Sequence, residues 1–124
     1  MPGYVHYDFG DAIRTASNRV AEDCTDLSQV SMDIGIYEAY SQGYLAETSG
    51  TLNDTEKKYL PFAPKLLTYI MATRFLTDYL DGDTYYKIKY PGHNLQRNRN
   101  QIALLKSMEA QYDSMVEIIN NLTK

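Results

Sequence analysis

Apolar positions along the chain fall into helical stretches separated by short polar punctuation. Ala12, Ile13, Ala16 and Val20 recur at helical spacing, and Asp8 is placed to cap the helix that carries them, although Gly10 weakens its first turn. Residues 21–31 are polar with no sustained period and predict a loop. Asp33 is a good N-cap for a second helix bearing Ile36, Tyr37, Tyr40, Tyr44 and Leu45, which Thr48-Ser49-Gly50 ends. A short helix follows Asn53, with Asp54 and Glu56 in its first turn, where negative charge suits the helix dipole. Pro61 and Pro64 break or restart the chain, since neither donates an interior helix bond.

From Lys65 to Leu80 apolar residues lie on nearly all sides of a helix, which predicts a central, buried position. Asp81-Gly82-Asp83 reads as a turn, and Tyr85 to Tyr90 as a short extended piece before Pro91-Gly92. The last helix is predicted to run unbroken from about Asn94 to Asn121, with Leu95, Ile102, Leu105, Met108, Tyr112, Met115, Ile119 and Leu122 on its apolar stripe. Asn98 interrupts that seam and favours packing within the chain over a coiled-coil dimer. The pattern thus predicts one all-α domain over residues 1–124, with about four to five helices and a long amphipathic helix at the C-terminus.

Composition narrows the function. At 124 residues the chain is long enough to bury a core. Twelve Lys+Arg against 16 Asp+Glu give a net charge of -4, which disfavours a non-specific nucleic-acid binder or a basic membrane-surface protein. One cysteine excludes a disulfide framework, and two histidines make a structural zinc site a poor expectation. No apolar run approaches the ~20 residues of a spanning helix, and the first residues do not form a secretion signal. A soluble, cytoplasmic protein that binds neither nucleic acid nor membrane is expected.

Several motifs mislead. His6-Tyr7-Asp8-Phe9-Gly10 overlaps a His-x-Asp with an Asp-Phe-Gly, the two signatures of protein-kinase catalysis. A catalytic-loop Asp needs a metal-binding Asn five residues on, and position 13 is Ile13. The segment reads better as a capped helix start whose glycine permits close packing. Asp78, Asp81 and Asp83 lack the glycine and terminal Glu of a calcium loop. Cys24 sits between Asp23 and Asp26, a setting that does not activate a thiol.

Other residues carry more. Arg74 lies midway along the most apolar stretch, where an unpaired charge is costly. Either it pairs with Asp78 one turn on, or its five donors are reserved for the hydroxyls or carboxylate of a ligand. Tyr85 and Tyr86 follow a turn, a placement suited both to sugar stacking and to packing. Asp11 and Arg14, three apart on the first helix, either pair or present polar groups to a pocket, and the pair is the simpler account.

These residues also belong to a longer likeness. Met1-Pro2-Gly3 with Tyr7 to Arg14, then Arg74-Phe75-Leu76-Thr77-Asp78-Tyr79-Leu80, Gly82 to Lys87 and Gly92-His93-Asn94-Leu95 resemble segments of the N-acetylhexosamine 1-kinases. That family lies within the aminoglycoside-phosphotransferase and choline-kinase-like superfamily. The resemblance implies the helical C-terminal subdomain of a protein-kinase-like fold, without the nucleotide-binding lobe, the catalytic loop or the magnesium aspartate. It implies that Arg74 and Tyr85 contact the sugar, that Thr15 lies beside its N-acyl group, and that Asp11 and Arg14 are weaker candidates. Asp8 matches an Asp that braces the catalytic loop structurally. No catalytic or metal-binding residue and no cofactor is expected in this chain, whereas ATP and Mg2+ are implied for the full-length form. The chain alone is then expected to be inactive. The alternative is a stand-alone, non-enzymatic helical module that forms a homodimer through an exposed apolar face.

Overall fold

Six α-helices and one 3-10 turn make up the computed structural model, which describes residues 2–20, 26–48 and 50–123. The helices are α1 (Pro2–Ala16), α2 (Ile34–Thr48), α3 (Asp54–Tyr59), α4 (Phe62–Leu80), α5 (His93–Ala110) and α6 (Tyr112–Leu122). Among the described residues there is no strand, and a single antiparallel bridge joins Asn18 to Met32. The class is all-α.

α1 begins at Pro2, where a missing N–H costs nothing because the first turn has no partner for it. Asp8 is therefore an exposed residue inside the helix, and the expected cap at that position is corrected. Phe9 and Ile13, one turn apart, are fully buried. Gly10 lies against α4, where a Cβ would stand 2.6 Å from the carbonyl oxygen of Ala63. Only a residue without a side chain lets the two backbones approach so closely.

α2 starts where Asp33 predicts, since its Oδ1 accepts from the N–H groups of Gly35 at 2.9 Å and Ile36 at 3.2 Å. It buries Tyr37 and Leu45, with Tyr40 and Tyr44 half-buried, whereas Ile36 is exposed. The rings of Tyr37, Tyr40 and Tyr44 surround Phe9 at centroid distances of 6.3, 5.9 and 5.2 Å. Tyr37 also donates from its hydroxyl to the carbonyl of Met115 in α6, at 3.1 Å. Burial first, and then the nearby Tyr112, push its phenol far above the usual tyrosine range.

α3 opens on a reciprocal cap. Asn53 Oδ1 accepts from Glu56 N–H at 2.8 Å, and Glu56 Oε1 accepts from Asn53 N–H at 3.0 Å. Pro61 then precedes α4 and Pro64 sits in its first turn, so the prolines initiate the helix three residues before Lys65. α4 packs against α1 and α5 and buries Ala63, Leu67, Thr68, Ala72, Phe75 and Asp78. Its opposite side is open: Phe62, Leu66, Tyr69, Leu76 and Leu80 are exposed. The helix is central, as its composition predicts, but it is covered on one side rather than all round.

The long C-terminal helix is two helices. The chain breaks at Gln111, whose φ of -107° and ψ of 9° leave the helical region. Gln111 Nε2 reaches the carbonyl of Met32 at 3.0 Å and Ser107 Oγ at 3.1 Å, while that hydroxyl oxygen accepts from Met32 N–H. These bonds tie the break to the segment before α2, and α6 turns to pack on α2 and α3. The inward face of α5 is largely polar, with His93, Asn94, Asn100 and Gln101 buried beside Leu104 and Met108. Asn98, which interrupts the predicted seam, donates to the carbonyl of Ala72 in α4 at 2.7 Å.

The predicted loop before α2 contains the 3-10 turn Leu27–Gln29, capped by Asp26, and Cys24 lies outside the described residues. Tyr85 to Tyr90 runs through bends and irregular backbone, and no strand forms there.

Candidate functional site

The C-terminal end of α4 is finished by two backbone bonds that define a Schellman motif. Asp83 N–H donates to Asp78 O at 2.8 Å, and Gly82 N–H donates to Tyr79 O at 3.2 Å. Gly82 takes the left-handed conformation this requires, with φ 92°, and Asp83 follows at φ 62°. The chain is thereby folded back beside α4, within reach of the Asp78 side chain.

Asp78 then collects that returning segment. Its carboxylate accepts from the N–H of Tyr85 at 2.7 Å, the N–H of Tyr86 at 3.0 Å and Asn94 Nδ2 at 2.7 Å. Asn94 Nδ2 also donates to Asp83 Oδ1 at 3.1 Å, and its Oδ1 accepts from Arg97 Nη1 at 2.9 Å. Burial alone raises the Asp78 pKa. The N–H groups of Tyr86 and Tyr85, the Asn94 amide and the Thr84 N–H outweigh it and hold the carboxyl below its usual 3.8. Asp78 is thus ionised at neutral pH and fully engaged with the loop.

The ring of Tyr86 packs on Phe75 with centroids 4.9 Å apart, and Tyr85 stands edge-on to Tyr86 at 4.8 Å. Arg97 covers Phe75 at 5.6 Å. Tyr85 itself remains 81% exposed, an aromatic surface propped from behind. Between this loop and the end of α4 lies an open groove of about 560 Å³. Arg74, Asp81 and Tyr85 line it, together with the hydroxyl residues Thr73, Thr77 and Thr84. Arg74 is exposed, with Nη1 4.0 Å from Met71 Sδ. The Arg74–Asp78 pair does not form, because the carboxylate is turned to the loop.

Of the residues singled out from sequence, the structure brings Arg74 and Tyr85 together. It places the others elsewhere. Arg14 is 7% exposed, with Nε 3.0 Å from Asp11 Oδ1 and Nη1 3.2 Å from Gln101 Oε1, so the pair is the arrangement adopted. The Thr15 hydroxyl donates back to the carbonyls of Asp11 and Ala12. None of these three lines the groove. Asp8 is exposed on α1, where its charge adds to burial in raising the pKa of Tyr44.

Sequence reasoning passed over Asp78 and Asn94 as the residues that position the loop. The available signal was a carboxylate four residues before a helix-ending glycine. Among the described residues no group of three His, Cys, Asp or Glu side chains is arranged to hold a metal ion. Asp78 and Asp83 are bonded to the loop and to Asn94, so these two carboxylates do not fit a phosphate-bound magnesium ion. No helix of the described residues is long and apolar enough to cross a membrane. No protein-family model matches the chain.

Proposed function

We propose that this chain provides the sugar-binding wall of a phosphotransferase resembling the N-acetylhexosamine 1-kinases. The observation that carries the reading is the shared groove of Arg74 and Tyr85, the two residues that the resemblance assigns to the sugar. An exposed aromatic ring beside a guanidinium and three threonine hydroxyls suits a ligand with one apolar face and many hydroxyls. In this reading the nucleotide and magnesium are held by parts outside these residues, and the groove itself moves no phosphoryl group. A cytoplasmic location, where ATP is available, goes with it.

The test is a nuclear magnetic resonance titration of the chain with N-acetylglucosamine and N-acetylgalactosamine, using glucose as comparison. A single open wall gives little burial or preorganisation, so affinity in the millimolar range is expected. The Thr84 and Tyr85 amides and the Arg74 side chain should shift together, and Arg74→Ala should remove the response. Shifts that are absent from the groove, or untouched by Arg74→Ala, would reject the assignment. With ATP and magnesium added, the chain alone should form no sugar phosphate.

A further inference from the structure

The groove beside the end of α4 extends past the two residues that the sugar reading uses. Arg74, Thr77 and Asp81 line it from the helix at intervals of three and four residues, the spacing that puts side chains on one face. Asp81 keeps that register although it ends the helix, because its N–H donates to Thr77 O at 3.0 Å. Arg74 and Asp81 are thus two turns apart, about 10 Å at ~1.5 Å per residue. The guanidinium lies further back still, with Nη1 beside the Sδ of Met71, one turn nearer the N-terminus.

The two ends of this row are chemically opposite, and both are open to a ligand. Asp78, Asp81 and Asp83 place three carboxylates near the end of α4. Asp78 is taken by the N–H groups of Tyr85 and Tyr86, and Asp83 accepts from Asn94. Asp81 is exposed, and no described residue bonds or pairs with its carboxylate. Arg74 likewise meets no carboxylate among the described residues. The groove therefore offers donors at the Arg74 end, acceptors at the Asp81 end and the hydroxyl of Thr77 between them.

One sugar ring does not reach from end to end. At single-bond lengths of about 1.5 Å, a pyranose measures roughly 6 Å between its outermost oxygens. A ring held by Arg74 and Tyr85 leaves Asp81 untouched, and a second ring joined to it meets the carboxylate. The volume agrees, since about 560 Å³ lies well inside the ~300–1,000 Å³ range of sites that take ligands larger than a single sugar.

We propose that the groove is a two-ring site whose ligand is a disaccharide of N-acetylhexosamines. One ring lies at Arg74 and Tyr85, and hydroxyls of the second donate to Asp81. This inference rests on the sugar reading of the same groove and adds Thr77 and Asp81 to it.

Nuclear magnetic resonance titration of the full chain with N-acetylglucosamine and with diacetylchitobiose, its two-ring homologue, tests it. The disaccharide should bind about ten-fold more tightly, the worth of one hydrogen bond to a charged group. It should also shift the Thr77 and Asp81 amides, which the single sugar leaves in place. Asp81→Ala should bring the two ligands to equal affinity, and Thr77→Val, which keeps the shape of the side chain, should narrow the gap between them. Arg74→Ala should weaken both. Equal affinities in the unsubstituted chain, or a disaccharide advantage that survives Asp81→Ala, would overturn the two-ring site and leave the sugar assignment standing. A groove that responds to neither ligand would overturn both.

Discussion

Two junctions hold these helices together by opposite means. Around Phe9, α1 meets α2 through rings, with Tyr37, Tyr40 and Tyr44 closing over a side chain that has no exposed surface. Around Asp78, the end of α4 meets α5 and the intervening loop through one carboxylate, an asparagine and backbone N–H groups. The first junction gains from area removed from water and depends little on the exact position of any atom. The second gains only when donors and acceptors meet at hydrogen-bond distance, and it leaves a buried charge behind if they do not. The aromatic junction accordingly sets global stability, and the polar one sets the shape of the groove.

Phe9→Ala should produce the largest effect, about 3–5 kcal/mol of lost stability in denaturant unfolding, since it empties the centre of the ring cluster. A loss below about 1 kcal/mol would mean that the cluster contributes little beyond local packing. Asp78→Ala should act more locally. The Tyr85 and Tyr86 amides should exchange with solvent much faster, and the groove should lose its shape before the fold is lost.

Acid sharpens the contrast further. The native pKa of Asp78 lies below its unfolded value, so its contribution is complete above the usual 3.8 and is lost as pH falls through the native value. Asp78→Asn should flatten that acid limb, whereas Phe9→Ala should leave its slope unchanged. The smallest effect belongs to Asn53→Ala, which removes the cap of α3, a part of neither junction, and should cost about 1 kcal/mol.

How much of this was legible in the chain follows the same division. Asp33, Asn53 and the spacing of Tyr37, Tyr40, Tyr44 and Leu45 announce α2 and α3, because caps and an apolar stripe act within one helix. The start of α1 was not, because Asp8 looks like a cap only when the preceding residues are read as non-helical. The break at Gln111 was hidden as well: its cause is a carbonyl 79 residues away, which no local window contains. In α5 the apolar period pointed to Leu105 and Ile102. The face that packs inward instead carries Asn94 and Gln101, held by Asp78 and Arg14. Arg74 and Tyr85 were recognisable as candidates, but their shared groove depends on Gly82, Asp78 and Asn94 acting together across the loop.

The close approach of α1 to α4 also bears on how relatives of this protein should be read. At position 10 a methyl group would collide with the backbone of Ala63, so natural variation there is closed by lack of space. Evolution can repaint the exposed Tyr7 and Asp8 while Gly10 stays fixed. In this chain the fixed glycine happens to follow a histidine and an aspartate, the outward look of a phosphate-handling motif. Its invariance would record the distance between two helices and carry no information about catalysis.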